Sequence, residues 1–193
     1  MKDLLIEGIN KWVDLTPEEE RIILEQVVFE TYPTKQVLVK PGEDSHWTYF
    51  VLKGILRSYT VDENGAEHVL NFATPGWWIA DMYSYLSEKP SIMYIDVIDD
   101  AEVYLLSRKK VEELYLKVPK LERFFRILTQ NSLVSNQQRI IDKMSLTAEE
   151  RYDKFQKQFK DVKNCLPQKH IASYIGVTPE FFSKMKSRLL KQK

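Results

Sequence analysis

Near its carboxy terminus the chain carries Lys169, Ser183, Lys184, Lys186, Ser187 and Arg188, side chains of the kinds that hold nucleic acids. Cations meet phosphates, and hydroxyls meet phosphates or base edges. To act together they need a rigid presenter, and the segment from Leu166 to Lys193 reads as one. Pro167 suits the first turn of a helix, where its missing N–H would go unused. Ile171, Ala172 and Ile175 form the apolar stripe of that helix, and Gly176 suits a left-handed stop. Thr178, Pro179 and Glu180 then supply a cap, a first helical residue and an acidic first turn. The second helix sends Phe182, Met185 and Leu189 inward and leaves its cations and serines elsewhere on its surface. These are the parts of a helix-turn-helix, whose second helix enters the DNA major groove. An ordinary helical hairpin would share the punctuation.

Charge is distributed to suit. The net charge is zero, which argues against nucleic-acid binding by the whole surface. From Thr147 to Lys193, 11 Lys/Arg stand against 5 Asp/Glu, whereas the preceding residues carry 17 against 23. A basic module on an acidic body can aim one face at phosphate and keep the remainder away. Lys191 and Lys193 alone would read as a solvated tail.

Composition bounds the rest. At 44% hydrophobic and 29% charged, 193 residues are enough for one large or two small globular domains. No apolar run approaches the roughly 20 residues needed to span a bilayer. The start, Met-Lys-Asp-Leu-Leu-Ile-Glu-Gly, lacks the apolar region and cleavage site of a signal peptide. A cytoplasmic protein without a membrane partner is expected. Cys165 stands alone, so no internal disulfide or cysteine-held cluster forms within one chain. His46, His68 and His170 offer no close ligand pair, so no metal, cofactor or catalytic residues are expected, and a cupin-like metal enzyme is disfavoured.

The positioning elements follow from periodicity. Residues 1–30 look helical, with Ile6, Ile9, Trp12 and Val13 at helical spacing. A second helix opens at Thr16-Pro17-Glu18-Glu19 and buries Ile22, Ile23 and Val27. From Phe29 to Leu106, β-branched and aromatic runs predict strands over 37–39, 47–52, 55–61, 68–72, 94–98 and 102–106. Lys53-Gly54, Asn64-Gly65, Pro75-Gly76 and Asp99-Asp100 are the expected turns. Short strands at this spacing point to a sandwich or barrel. Helix returns over 108–117, and a helix of ~24 residues, ~36 Å long, is expected from Leu121 to Met144. Leu121, Phe124, Phe125 and Leu128 make its first apolar stripe, a candidate dimer contact above a polar middle. Thr147 and Glu150 form a capping box that opens the next helix, so the hinge falls at Ser145 or Leu146.

This order of parts resembles the Crp/Fnr superfamily of bacterial transcription regulators. Val39-Lys40-Pro41-Gly42-Glu43, followed by Tyr49 through Arg57, is similar to the family's glycine turn and paired strands. The resemblance implies an α+β fold: an antiparallel, jelly-roll-like β-roll over 1–118, a dimerisation helix over 119–145 and a helix-turn-helix domain over 146–193. It implies a cytoplasmic homodimer on double-stranded DNA, with RNA polymerase and a small-molecule effector as candidate partners. By position in the family motif, Pro179, Glu180 and Lys184 would read bases. Glu180 can accept from cytosine N4–H, and Lys184 can donate to guanine or phosphate. Ser183 and Ser187 are candidates for phosphate or base contacts, Thr178 joins the DNA-binding set, and Lys169, Lys186 and Arg188 are expected phosphate contacts. The chain as given stops at Lys193, so the two-stranded wing that often follows is expected to be short or missing.

The family's cyclic-nucleotide members hold their ligand with a Gly-Glu pair and, some ten residues on, an arginine followed by a small hydroxyl residue. Here Ala80-Asp81 and Ser91-Ile92 fall at or near those positions, and no arginine occurs between Arg57 and Arg108. Tight cyclic AMP binding is therefore not expected. Trp77, Trp78, Asp81, Tyr83, Tyr85, Ser91, Met93 and Tyr94 could instead line a pocket for an apolar or aromatic effector, or simply fill the roll. The alternative to a regulator is a ligand-binding or interaction module of this fold that has lost specific DNA binding.

Overall fold

The β-branched and aromatic runs assemble into one six-stranded sheet in the computed structural model, which describes residues 3–191. Met1 and Lys2 of the amino-terminal stretch and Lys193 of the basic tail lie outside the described residues. The strands are β1 (Val28–Tyr32), β2 (Val37–Val39), β3 (Trp47–Val61), β4 (Glu67–Ala73), β5 (Trp78–Ile79) and β6 (Tyr94–Ser107). Their order is β1-β6-β3-β4, with β2 paired to β6 and β5 to β3. Strand β1, absent from the expected set, pairs antiparallel with β6 from Val28↔Leu105 to Tyr32↔Ala101.

Two expected breaks do not occur. Strands β3 and β6 run through Lys53-Gly54 and Asp99-Asp100. Gly54 has φ +79°, and a Cβ there would sit 2.3 Å from the Asp100 carbonyl oxygen and 2.7 Å from that of Asp99. The glycine thus serves close approach of two long strands, not a chain reversal.

Two compact units form. The first comprises residues up to Ser58 together with Phe72–Leu133. It contains α1 (Leu4–Asn10), α2 (Pro17–Leu24), α3 (Met82–Ser87), α4 (Arg108–Lys117) and the start of α5 (Lys120–Ser145). The Thr16 side chain accepts from the Glu19 N–H while the Glu19 carboxylate accepts from the Thr16 N–H, the capping box that opens α2. One core buries Leu5, Ile9 and Ile23 with Phe50, Leu114, Leu121 and Phe124. Trp12, expected on the first helix, follows it and is half exposed. The other core fills the sheet interior with Val51, Leu56, Ala73, Ile95, Val97 and Val103.

The stripe expected at a dimer contact is largely covered by its own chain. Leu121 and Phe124 are 1% and 3% exposed within their own chain, and Phe125 and Leu128 pack on the same cluster. Those side chains already have partners.

The second unit comprises Tyr59–Asn71 and the residues from Val134 onward. It holds the hairpin ends of β3 and β4, the remainder of α5, α6 (Ala148–Gln158), α7 (Gln168–Ile175) and α8 (Pro179–Lys191). The division between units thus falls inside α5, and the hairpin groups with the carboxy-terminal helices.

In the first unit, Arg57 Nε donates to Asp96 Oδ1 at 2.9 Å, with a second bond from Nη2 to Oδ2, and the two side chains are only 3% and 12% exposed. Removing one partner of such a pair strands a buried charge. Arg57→Met is expected to lower stability by about 3–5 kcal/mol, read as a lower urea midpoint with an unchanged slope.

Candidate nucleic-acid interface

The rotation of α8 is set by what it buries. Phe182 is wholly buried and Met185 is 2% exposed, both in the core of the second unit. The Phe182 ring meets Tyr152 edge-on, with centroids 5.0 Å apart, and Phe155, Phe159 and Tyr174 continue the aromatic cluster. Ile171, Ala172 and Ile175 of α7 are buried in the same unit, as the apolar stripe predicts. With that face fixed, the helical period turns Glu180, Lys184 and Ser187 to the opposite side, where all three are exposed.

Local chemistry builds the joint. Gly176 ends α7 with φ +76°, and its N–H donates to the Ser173 carbonyl at 3.1 Å. Thr178 caps α8, its hydroxyl accepting from the Phe181 N–H at 3.2 Å. Pro167 takes the cap position before α7, one residue earlier than expected. Arg151 braces the turn: its guanidinium donates to the Ile175 carbonyl at 2.7 Å and to that of Leu146. Lys143 lies beside Gly176, and its pKa is held below the usual lysine range by burial and by nearby Arg139 and Arg151.

The expected contact residues fall into two groups. Thr178, Pro179, Glu180, Ser183, Lys184 and Ser187 are exposed around the start and outer face of α8, and Lys169 is exposed on α7. Lys186 is half-buried, and Arg188 is exposed but ion-paired with Glu149 of α6. The residues that position this surface are not among the expected contacts. Ser173 Oγ donates to the Glu67 carbonyl at 2.6 Å and accepts from the Val69 N–H at 2.8 Å, so the β3–β4 hairpin is stitched to α7. His170 Nδ1 lies 3.6 Å from the Glu67 carboxylate, and Arg139 donates to the Leu70 carbonyl while lying over the Tyr174 ring. A serine in a helix interior carries no signal of such a role.

In the first unit, Asp81 is fully buried and Ser91 is 3% exposed. Ser91 Oγ donates to Asp81 Oδ2 at 2.6 Å, while Asp81 Oδ1 accepts from the N–H groups of Tyr83 and Ser84 and so caps α3. These two residues, expected to face an effector, satisfy one another instead. Trp78 packs against Phe50 and Phe125, Tyr83 is exposed, and Met93 and Tyr94 are half-buried. A cleft of about 950 Å³ does open in this unit, lined by Ser45, Trp47, Tyr85, Arg108, Glu112 and Leu116 among others. Of the eight residues expected at an effector pocket, Tyr85 alone lines it. Burial, with Glu112 nearby, pushes the Tyr85 phenol up to about 12.

Among the described residues no cluster of three or more His, Cys, Asp or Glu could hold a metal, and no helix is long and apolar enough to cross a membrane.

Residues 29–117 match the family model of the cyclic nucleotide-binding domain. An anaerobic regulatory protein of Haemophilus influenzae is 24% identical, the alignment covering 90% of this chain and 72% of that protein. The fumarate and nitrate reduction regulatory protein of Vibrio cholerae is 25% identical over 90% of this chain and 74% of its own length. Among solved structures, FixK2 from Bradyrhizobium japonicum aligns with a TM-score of 0.73 at 22% identity, covering 86% of this chain and 85% of that one. These curated relatives are regulatory proteins, not enzymes.

Proposed function

We propose that the chain is a transcription regulator of the Crp/Fnr superfamily, a homodimeric, sequence-specific DNA-binding protein that does not respond to cyclic AMP. The observation that carries the reading is the outer face of α8. Glu180, Lys184 and Ser187 are exposed there, opposite the buried Phe182 and Met185, in the segment where basic residues outnumber acidic ones. A helix so presented can lie in the major groove. Glu180 then accepts from a cytosine amino group, and Lys184 donates to guanine or to the backbone. Lys169 and Lys186 contact phosphate, and Arg188 does so after exchanging Glu149 for it.

Dimerisation is assigned to the outer stripe of α5. Leu133, Val134, Ile140, Ile141 and Met144 are 48–84% exposed, a costly arrangement for so many large apolar side chains on one helix. Leu133, Ile140 and Met144, with Gln137 between them, follow the four-three-four spacing of a helix that packs on a second copy of itself. A two-fold axis along this seam would set two α8 helices on half-sites one turn, ~34 Å, apart.

The lack of response to cyclic AMP follows from the closed cassette. A cyclic phosphate needs a fixed cation and free donors. Here the Ser91 hydroxyl is spent on a buried carboxylate, and Arg57 is committed to Asp96.

Three measurements test this reading. In a binding assay on the preferred site from a random DNA library, Glu180→Ala is expected to relax base preference at one half-site position. Lys186→Ala is expected to weaken all sequences alike and to reduce the salt slope by about 1. Indistinguishable effects would overturn this division of roles, and weak, sequence-blind binding by the unaltered chain would favour a module that has lost specific recognition. Replacing Leu133 and Ile140 together with Asp should halve the mass seen in sedimentation velocity while leaving the circular dichroism spectrum unchanged. Cyclic AMP at millimolar concentration should not raise the melting temperature, whereas a ligand at a hundred times its Kd would add about 2.7 kcal/mol.

A further inference from the structure

The first turn of α8 exposes one side chain that neither positions the helix nor carries charge. Phe181 is 50% exposed, although its neighbour Phe182 is wholly buried. Its N–H is held by the Thr178 cap, so the backbone beneath the ring is fixed. At 3.6 residues per turn, Phe181 lies about 60° around the helix from Lys184 and about 20° from Arg188. The ring therefore sits on a flank shared with the exposed Lys184 and with Arg188, whose charge is met by Glu149 until a stronger anion displaces it, and it follows Glu180 in sequence. A protein partner seeking an apolar contact would have to bury those charges, whereas a polyanion is attracted by them. What a phenyl ring can recognise on a polyanion is limited, since it has no hydrogen-bonding group. On the major-groove edges of the four standard base pairs, the apolar feature is the thymine C5-methyl group.

The geometry points to Phe181 as a reader of a thymine methyl beside the position read by Glu180, making the half-site preference partly apolar. This rests on the DNA-binding reading above and adds a base identity to it. Removing a single methyl contact of this kind is worth about fourfold in affinity, from about 0.8 kcal/mol per buried carbon. In a symmetric site contacted twice, the product is about fifteenfold.

The test uses the full chain and its preferred duplex, with thymines replaced one symmetric pair at a time by deoxyuridine. That change deletes the methyl group and leaves every hydrogen-bonding group in place. For the unaltered protein, one pair is expected to weaken binding about fifteenfold, and Phe181→Ala should bind the thymine and deoxyuridine duplexes equally. The side chain is exposed, so the variant should keep its melting temperature, and Phe181→Leu should retain part of the discrimination. If Phe181→Ala discriminates thymine from deoxyuridine as well as the unaltered chain does, or if no thymine methyl matters, the assignment to Phe181 is wrong while sequence-specific binding stands. If the unaltered chain selects no sequence at all, the DNA-binding reading falls and this inference falls with it.

Discussion

The candidate interface depends on the seating of one ring. Phe182 stands edge-on to Tyr152 in a closed aromatic cluster and cannot turn outward without opening a cavity where it packs. A helix has one rotational freedom about its axis, and this contact removes it. A slip of one residue would turn α8 by about 100° and carry Glu180 and Lys184 away from the outer face. Recognition chemistry on the exposed side is therefore only as well defined as the apolar packing on the hidden side.

The second unit extends this logic to its hairpin. Ser173 uses its hydroxyl twice, as donor to the Glu67 carbonyl and as acceptor from the Val69 N–H, satisfying backbone groups at the end of a strand pair. Arg139 and Arg151 do similar work on the carbonyls of Leu70, Ile175 and Leu146. These two cations are structural braces. The positive charge of the segment is thus divided between holding the module together and facing solvent.

In the first unit, burial decides which polar residues are free to act. Arg57 and Asp96 are an ion pair with little exposure, and Asp81 is spent on Ser91 and on the cap of α3. A buried carboxyl group that already accepts three hydrogen bonds has little left for a ligand. Leu121 and Phe124 serve the intrachain core, while the exposed stripe of α5 lies farther along.

Local signals determined much of this protein. Caps at Thr16, Thr147 and Thr178, the stop at Gly176 and the apolar stripes of α7 and α8 are written in a few neighbouring residues, because helix ends and faces obey short-range geometry. Charge segregation toward the carboxy terminus was legible for the same reason. Tertiary structure alone decided the rest. Gly54 reads locally as a turn but serves the close approach of two long strands, since its role depends on carbonyls 45 and 46 residues away in sequence. Ser91 and Asp81, the Ser173 stitch and the inward fate of Leu121 and Phe124 depend likewise on partners brought together by folding. A spacing rule can say which face is apolar, but only packing says whether that face meets its own chain or remains open to another molecule.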